Sequence, residues 1–170
     1  MPIDDCPYSF VQLAGSVLPD KYVALKRSIE RPILVKEFLG PKSATKKLLK
    51  TLDLESDFPG CYVFIESDNP FYVGISRGVV KRIVQHINST SHFSASLVYR
   101  MAKGIHPHTM RRAEAMLDQE FFAKFKISQT RLASMSVAYV EIQNDLELYL
   151  FEAYAAMKLD TSDFNSFRTH

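Results

Sequence analysis

FPGCYVFIESDNPFYVGISRGVVKRIVQH, residues Phe58 to His86, reads as strand, turn, strand and helix. Pro59-Gly60 opens it. Cys61 to Ile65 is a run of β-branched and aromatic residues, the composition of a strand. Glu66-Ser67-Asp68-Asn69-Pro70 has turn chemistry, because Asp and Asn tolerate unusual backbone angles and Pro fixes φ. Phe71 to Ile75 is a second strand run. Ser76 offers a helix N-cap, and Val79, Val80, Ile83, Val84 and Ile87 then recur at helical spacing.

Side chains alternate faces along a strand. A hairpin that sets Ile65 against Phe71 also sets Phe64 against Tyr72 and Tyr62 against Gly74. Those four share one face. Cys61, Val63, Ile65, Phe71, Val73 and Ile75 make the apolar core face. Two phenols are left together on the other side, with a glycine beside them that leaves room for an approach. On the helix, Arg82 and His86 stand four residues apart on one stripe. Two tyrosines, an arginine and a histidine can thus converge. Taken singly, each tyrosine also suits a half-buried strand position and Arg82 a solvated helix face.

These residues resemble a family. Gly60-Cys61-Tyr62 looks like the GIY element, and Tyr72-Val73-Gly74 like the YIG element, of the GIY-YIG nuclease superfamily. Arg82 follows where that family has its arginine, and His86 where many members have a histidine or tyrosine. A later helix glutamate and then an asparagine are matched, in order and setting, by Glu152 and Asn165 in FEAYAAMKLDTSDFN. The resemblance runs from about Phe58 to Phe167. Cys61 departs from the usual aliphatic residue. Ile75 departs from the lysine that some repair-type members carry, which argues against close kinship with the excision-repair branch.

The 170 residues suit one domain with a proper core, and 46% apolar composition is ordinary for a globular chain. Cys6 and Cys61 are far apart and lack metal spacing, so a reduced, cytoplasmic protein is expected. No apolar run approaches membrane-spanning length, and the Met1-Pro2-Ile3-Asp4-Asp5 start is not a signal peptide. A net charge of +2 agrees weakly with a nucleic-acid partner.

Residues 1–57 read as an N-terminal helical extension packed on the core, and 58–170 as the nuclease-like domain. Within the extension, Ile33 to Leu39 suits a strand or a short helix. Ser43 could cap a helix that sets Leu48, Leu49 and Leu52 opposite Lys46, Lys47 and Lys50. Beyond His86, a helix is expected over Phe93 to Lys103. A long one follows over Met110 to Lys126, with Ala113, Met116, Leu117, Phe121 and Phe125 inward. Arg111 and Arg112 oppose the dipole at its start and so suit a ligand contact. Met135 to Ile142 reads as a third strand. Asp145 starts a helix with a Leu148, Phe151, Ala155 and Leu159 stripe. Glu152 lies at the edge of that stripe, and Glu147 reads as solvated.

The expected fold is therefore mixed α/β, a small antiparallel three-stranded sheet flanked by helices. By resemblance the function is metal-dependent endonuclease action on nucleic acid, double-stranded DNA above all, by a one-metal mechanism. Glu152 would hold Mg²⁺ or Mn²⁺, hard cations that suit oxygen ligands. Arg82 would grip phosphate bidentately. Tyr72 and His86 would sit near the attacking water, with Tyr62 orienting it. A tyrosine of ordinary pKa about 10 needs nearby positive charge to act as base, whereas a histidine does not. Arg77, Lys81, Arg111, Arg112 and Asn165 complete the set as nucleic-acid contacts, with Asn165 also bracing the site or a backbone turn. The alternative is a catalytically inactive nucleic-acid-binding or partner-binding module on the same fold.

Overall fold

The computed structural model describes residues 3–40 and 45–167, with the side chains of 45–47 set aside. Ser43 and the side chains of Lys46 and Lys47 thus lie outside the described residues. Short helical turns at Ile3–Asp5 and Phe10–Gln12 and a π-helical turn at Leu13–Val17 lead into α1 (Leu18–Ile29). Then come β1 (Ile33–Leu34), a 3₁₀ turn (Val35–Phe38), α2 (Thr45–Thr51), β2 (Gly60–Glu66) and β3 (Asn69–Ser76). The chain continues with α3 (Val79–Asn88), α4 (Ser96–Ile105), a one-turn helix (Arg112–Ala115), α5 (Gln119–Ala133), β4 (Ser136–Glu141) and α6 (Asp145–Leu159). The fold is mixed α/β, as expected. No helix among the described residues is long and apolar enough to cross a membrane.

The sheet has four strands in the order β1-β4-β2-β3, one more than the sequence suggested. The addition is Ile33–Leu34, which pairs for two residues before the chain winds into its 3₁₀ turn. β2 runs antiparallel to both β3 and β4.

The chain divides into two compact units. The first comprises residues 1–33, 56–79 and 136–170. Its core joins Leu18 and Leu25 of α1 to Cys61, Val63 and Val73 of the hairpin, Ala138 of β4, and Leu148, Phe151 and Ala155 of α6. The predicted α6 stripe is thus its buried face. The Tyr139 amide on β4 donates to the Ser28 hydroxyl of α1 at 3.1 Å.

The second unit comprises residues 34–55 and 80–135. Here α4 packs along α5, and Leu97, Val98, Met101, Phe121, Phe125 and Leu132 are buried. The single long helix expected from Met110 to Lys126 is instead broken. Asp118 accepts a hydrogen bond from the Phe121 amide at 2.8 Å and so starts α5 afresh. Leu117, read as inward, is left 85% exposed at the break.

Candidate active site

The hairpin carries the phenols. Tyr62 pairs with Gly74 and Phe64 with Tyr72, so all four share a face, as the parity count expected. The register then slips. Ile65 pairs with Pro70 and not with Phe71. The cause is the turn: Ser67 and Asp68 both have positive φ, 49° and 66°, and close the hairpin with only two residues. Phe71 becomes the extra residue of a β-bulge. It leaves the core face and packs on Phe164, ring centroids 4.4 Å apart.

Gly74 does not leave room for a ligand as expected. A Cβ built there would fall 2.5 Å from Cζ and Oη of Tyr62 and 2.9 Å from Cε1 of Tyr72. The space is filled by the Tyr62 ring itself. Gly60 acts the same way on the neighbouring strand, where a Cβ would collide with the Val140 carbonyl of β4. Tyr62 is 1% exposed and Tyr72 9%, with ring centroids 6.3 Å apart. This face of the hairpin is therefore a buried aromatic layer, completed by Phe64 stacked on Tyr72.

After α6 the chain turns back through Asp160, whose left-handed φ of 52° ends the helix. That turn brings Asn165 to β3, the edge strand. Its Oδ1 accepts from the Val73 amide at 2.9 Å and its Nδ2 donates to the Val73 carbonyl at 2.8 Å. Asn165 is a brace on the backbone between Tyr72 and Gly74. Glu152 is half-buried on α6. Its charge adds to burial in pushing the Cys61 thiol well above its ordinary pKa. α6 packs on the Cys61 face of the hairpin. Glu147, read as solvated, is buried at the start of the same helix. Burial raises its carboxyl pKa against the opposing pull of Lys21, 3.9 Å away. Arg77 is held by Asp145 in the first turn of α6, so its guanidinium is a tie between β3 and α6 before it is a phosphate contact.

In the second unit, Arg82 is half-buried and donates to the Ser94 carbonyl at 2.9 Å and the Ser96 hydroxyl at 3.1 Å. Both bonds lead to the start of α4. His86, one turn along α3, is wholly buried. Desolvation, then the charges of Arg82 and Arg100, push its pKa down to about 3. The imidazole is neutral at physiological pH and a much weaker base than a free histidine. The reading that His86 needs no help to act as base is corrected on that ground. Gln129 of α5 fixes the end of α3 by donating to the carbonyls of His86 and Ser89. Lys81, Arg111 and Arg112 are exposed, and Arg112 also lies over the Tyr99 ring, 5.3 Å from its centroid. Arg100 of α4, four residues after Ser96, adds its charge to that of Arg82 at His86.

A family model described as the GIY-YIG catalytic domain matches residues 58–160. Among solved structures, two crystal structures of the GIY-YIG N-terminal endonuclease domain of UvrC from Thermotoga maritima resemble the chain. They are point mutants, each bound to its catalytic divalent cation. Each is 16% identical with a TM-score of 0.39, covering 75% of this chain and 99% or 100% of its own. No curated protein matches the sequence.

Proposed function

Because the chain belongs to the GIY-YIG family through its catalytic domain, we propose that it is an endonuclease that hydrolyses phosphodiester bonds of double-stranded DNA with one divalent cation. The observation that carries the reading is the pairing of Tyr62 with Gly74 and Phe64 with Tyr72 inside the matched region. It sets the two motif tyrosines on one face.

A phosphodiester resists attack because its oxygens repel a nucleophile and the leaving alkoxide is poor. Hydrolysis needs positive charge on the phosphate, a deprotonated water, and help for the leaving oxygen. Arg82 has five N–H donors, and the two bonds to Ser94 and Ser96 hold its guanidinium in place. Its remaining donors can take phosphate oxygens with little rotamer entropy left to lose. Tyr72 is the proton acceptor in this reading, since His86 is buried and neutral. Ionised as phenolate, its Oη takes the proton of the attacking water as that water's oxygen bonds to phosphorus and the P–O bond to the leaving oxygen breaks; the departing alkoxide takes a proton from solvent. Tyr62, wedged over Gly74, keeps the Tyr72 ring in place. Asn165 keeps the intervening backbone from moving.

The donor set fits a hard cation. Glu152 offers carboxylate oxygens, and among the described residues no group of three or more His, Cys, Asp or Glu side chains is poised for a metal. That pattern suits Mg²⁺ or Mn²⁺, which keep several waters and bind through few carboxylates together with substrate phosphates. Glu152 would hold the ion at the margin of the sheet, and the ion would supply positive charge to the scissile phosphate. Both cysteines are free and buried, which supports a reducing, cytoplasmic setting.

Burial of both phenols favours one second reading, a nucleic-acid-binding module without turnover. Nicking of supercoiled plasmid separates the two. Mg²⁺- or Mn²⁺-dependent nicking that Glu152→Gln removes supports the enzyme. Binding without nicking under either cation supports the module.

A further inference from the structure

The two units differ sharply in charge. The first carries seven Lys and Arg against thirteen Asp and Glu, and the second fourteen against six. A chain with a net charge of only +2 thus contains one acidic part and one strongly basic part. In the segment 80–135 the carboxylates sit at helix starts. Glu114 accepts from the Arg111 amide at 3.2 Å and Asp118 caps α5. Glu120 lies in the first turn of α5. They serve helix dipoles and orphan amides. Apart from Arg111 and Arg112 at the one-turn helix, the cations of the segment lie on α3, α4 and α5, and Lys103, Lys126 and Arg131 are exposed.

Within this basic unit one point is better built than the rest. Arg82 donates to the Ser96 hydroxyl, and Ser96 and Arg100 are four residues apart on α4, hence neighbours on one helix face. The charges of both arginines lower the pKa of the buried His86 imidazole, Arg82 from its own helix and Arg100 from α4. Two planar, permanently charged forks, one on each helix and linked through Ser96, make a seat for two consecutive phosphates.

We propose that the second unit, residues 34–55 and 80–135, is where the chain grips the phosphate backbone of its substrate, and that Arg100 is a second phosphate-binding arginine beside Arg82. The proposal rests on the nucleic-acid reading above and adds which part of the chain carries affinity. The partner it fits is a polyanion with phosphates in series. A single nucleotide would engage one fork and miss the exposed lysines and arginines along α4 and α5.

The test is binding of a fluorescein-labelled 20-base-pair duplex in EDTA, titrated at several salt concentrations. Arg100→Gln should weaken binding about tenfold and lower the magnitude of the slope of log K against log salt by about one, because one fewer counterion is released. Arg100→Lys should restore the slope but only part of the affinity, since charge returns without the fork. Lys26→Gln with Arg31→Gln, two exposed cations of the first unit, should change affinity less than twofold. An unchanged slope in Arg100→Gln, or an equal loss in the first-unit pair, overturns the proposal. Thermal midpoints within a few degrees of wild type are required of each variant; should Arg100→Gln miss that mark, Arg100→Lys is compared alone, and full wild-type affinity in it overturns the second-fork role. The nuclease reading fails separately. A protein that binds in this way but never nicks loses the endonuclease assignment and keeps this one. A protein that nicks normally while Arg100→Gln binds like wild type does the reverse.

Discussion

Acid should unfold this protein in a way that one buried residue dominates. His86 has an ordinary pKa of 6.5, pushed down to about 3 in the folded chain by burial and by Arg82 and Arg100. Between those two values the unfolded chain binds a proton that the folded chain refuses, so the folded state loses ground as pH falls. The stability is fully present above pH 6.5 and drains away toward pH 3. One proton is worth about 1.4 kcal/mol per pH unit, so the whole window amounts to about 5 kcal/mol. That is a large part of the total stability of an ordinary domain. Glu147 titrates in the opposite sense, because its raised carboxyl pKa lets the folded state keep a proton more readily. Comparison with His86→Asn removes that contribution and those of the other carboxylates. Urea unfolding at pH 7, 6, 5 and 4 should give wild type a slope steeper than the variant's by about 1.4 kcal/mol per unit below pH 6. Parallel profiles, or an imidazole signal of His86 titrating near its ordinary value in the folded protein, would refute the reasoning.

The other expectations are more local. Gly74→Ala pushes a methyl into the Tyr62 ring and should cost about 1–3 kcal/mol along with most of any cleavage; a change below about 0.5 kcal/mol in urea would show that the ring has somewhere else to go. Asn165→Ala removes both bonds to Val73 and should cost about 1–3 kcal/mol, read as faster hydrogen exchange at the Val73 amide. Arg82→Ala should abolish nicking and also lower stability by about 1–2 kcal/mol, since two hydrogen bonds to the start of α4 go with it. Cleavage that survives the loss would make Arg82 a structural tie.

Much of the hairpin was legible because alternation is a strong signal. Tyr62 opposite Gly74 and Phe64 opposite Tyr72 follow from parity alone once two strands and a turn are recognised. The slip at Phe71 was hidden because it depends on turn length. Ser67-Asp68 closes the turn in two residues where composition suggested five, and the odd residue has to bulge out. The break before α5 was hidden for a related reason. Met116 and Leu117 continue an apolar rhythm, and nothing local says that Asp118 will spend its carboxylate on the Phe121 amide. The site divided along the same line. Order along the chain picked out Tyr62, Tyr72, Arg82, His86, Glu152 and Asn165. Burial of His86 is set by the fold around it, and the space at Gly74 is filled by the ring of its strand partner Tyr62, whose rotamer parity does not give. Arg100 left no motif trace, because its place beside Arg82 comes from the fold of α3 against the start of α4.

The clasp of Asn165 on Val73 bears on how the protein should be handled. An uncovered edge strand is a template for another chain, and aggregation commonly starts there. By filling both polar groups of Val73, Asn165 imitates one residue of a missing neighbour strand and blocks the middle of β3 against such pairing. The block is attached only through the short segment after α6. Trimming that segment would leave the core residues of α6 in place and uncover the middle of the edge. Partly digested preparations should then self-associate in proportion to concentration while still showing native helix content.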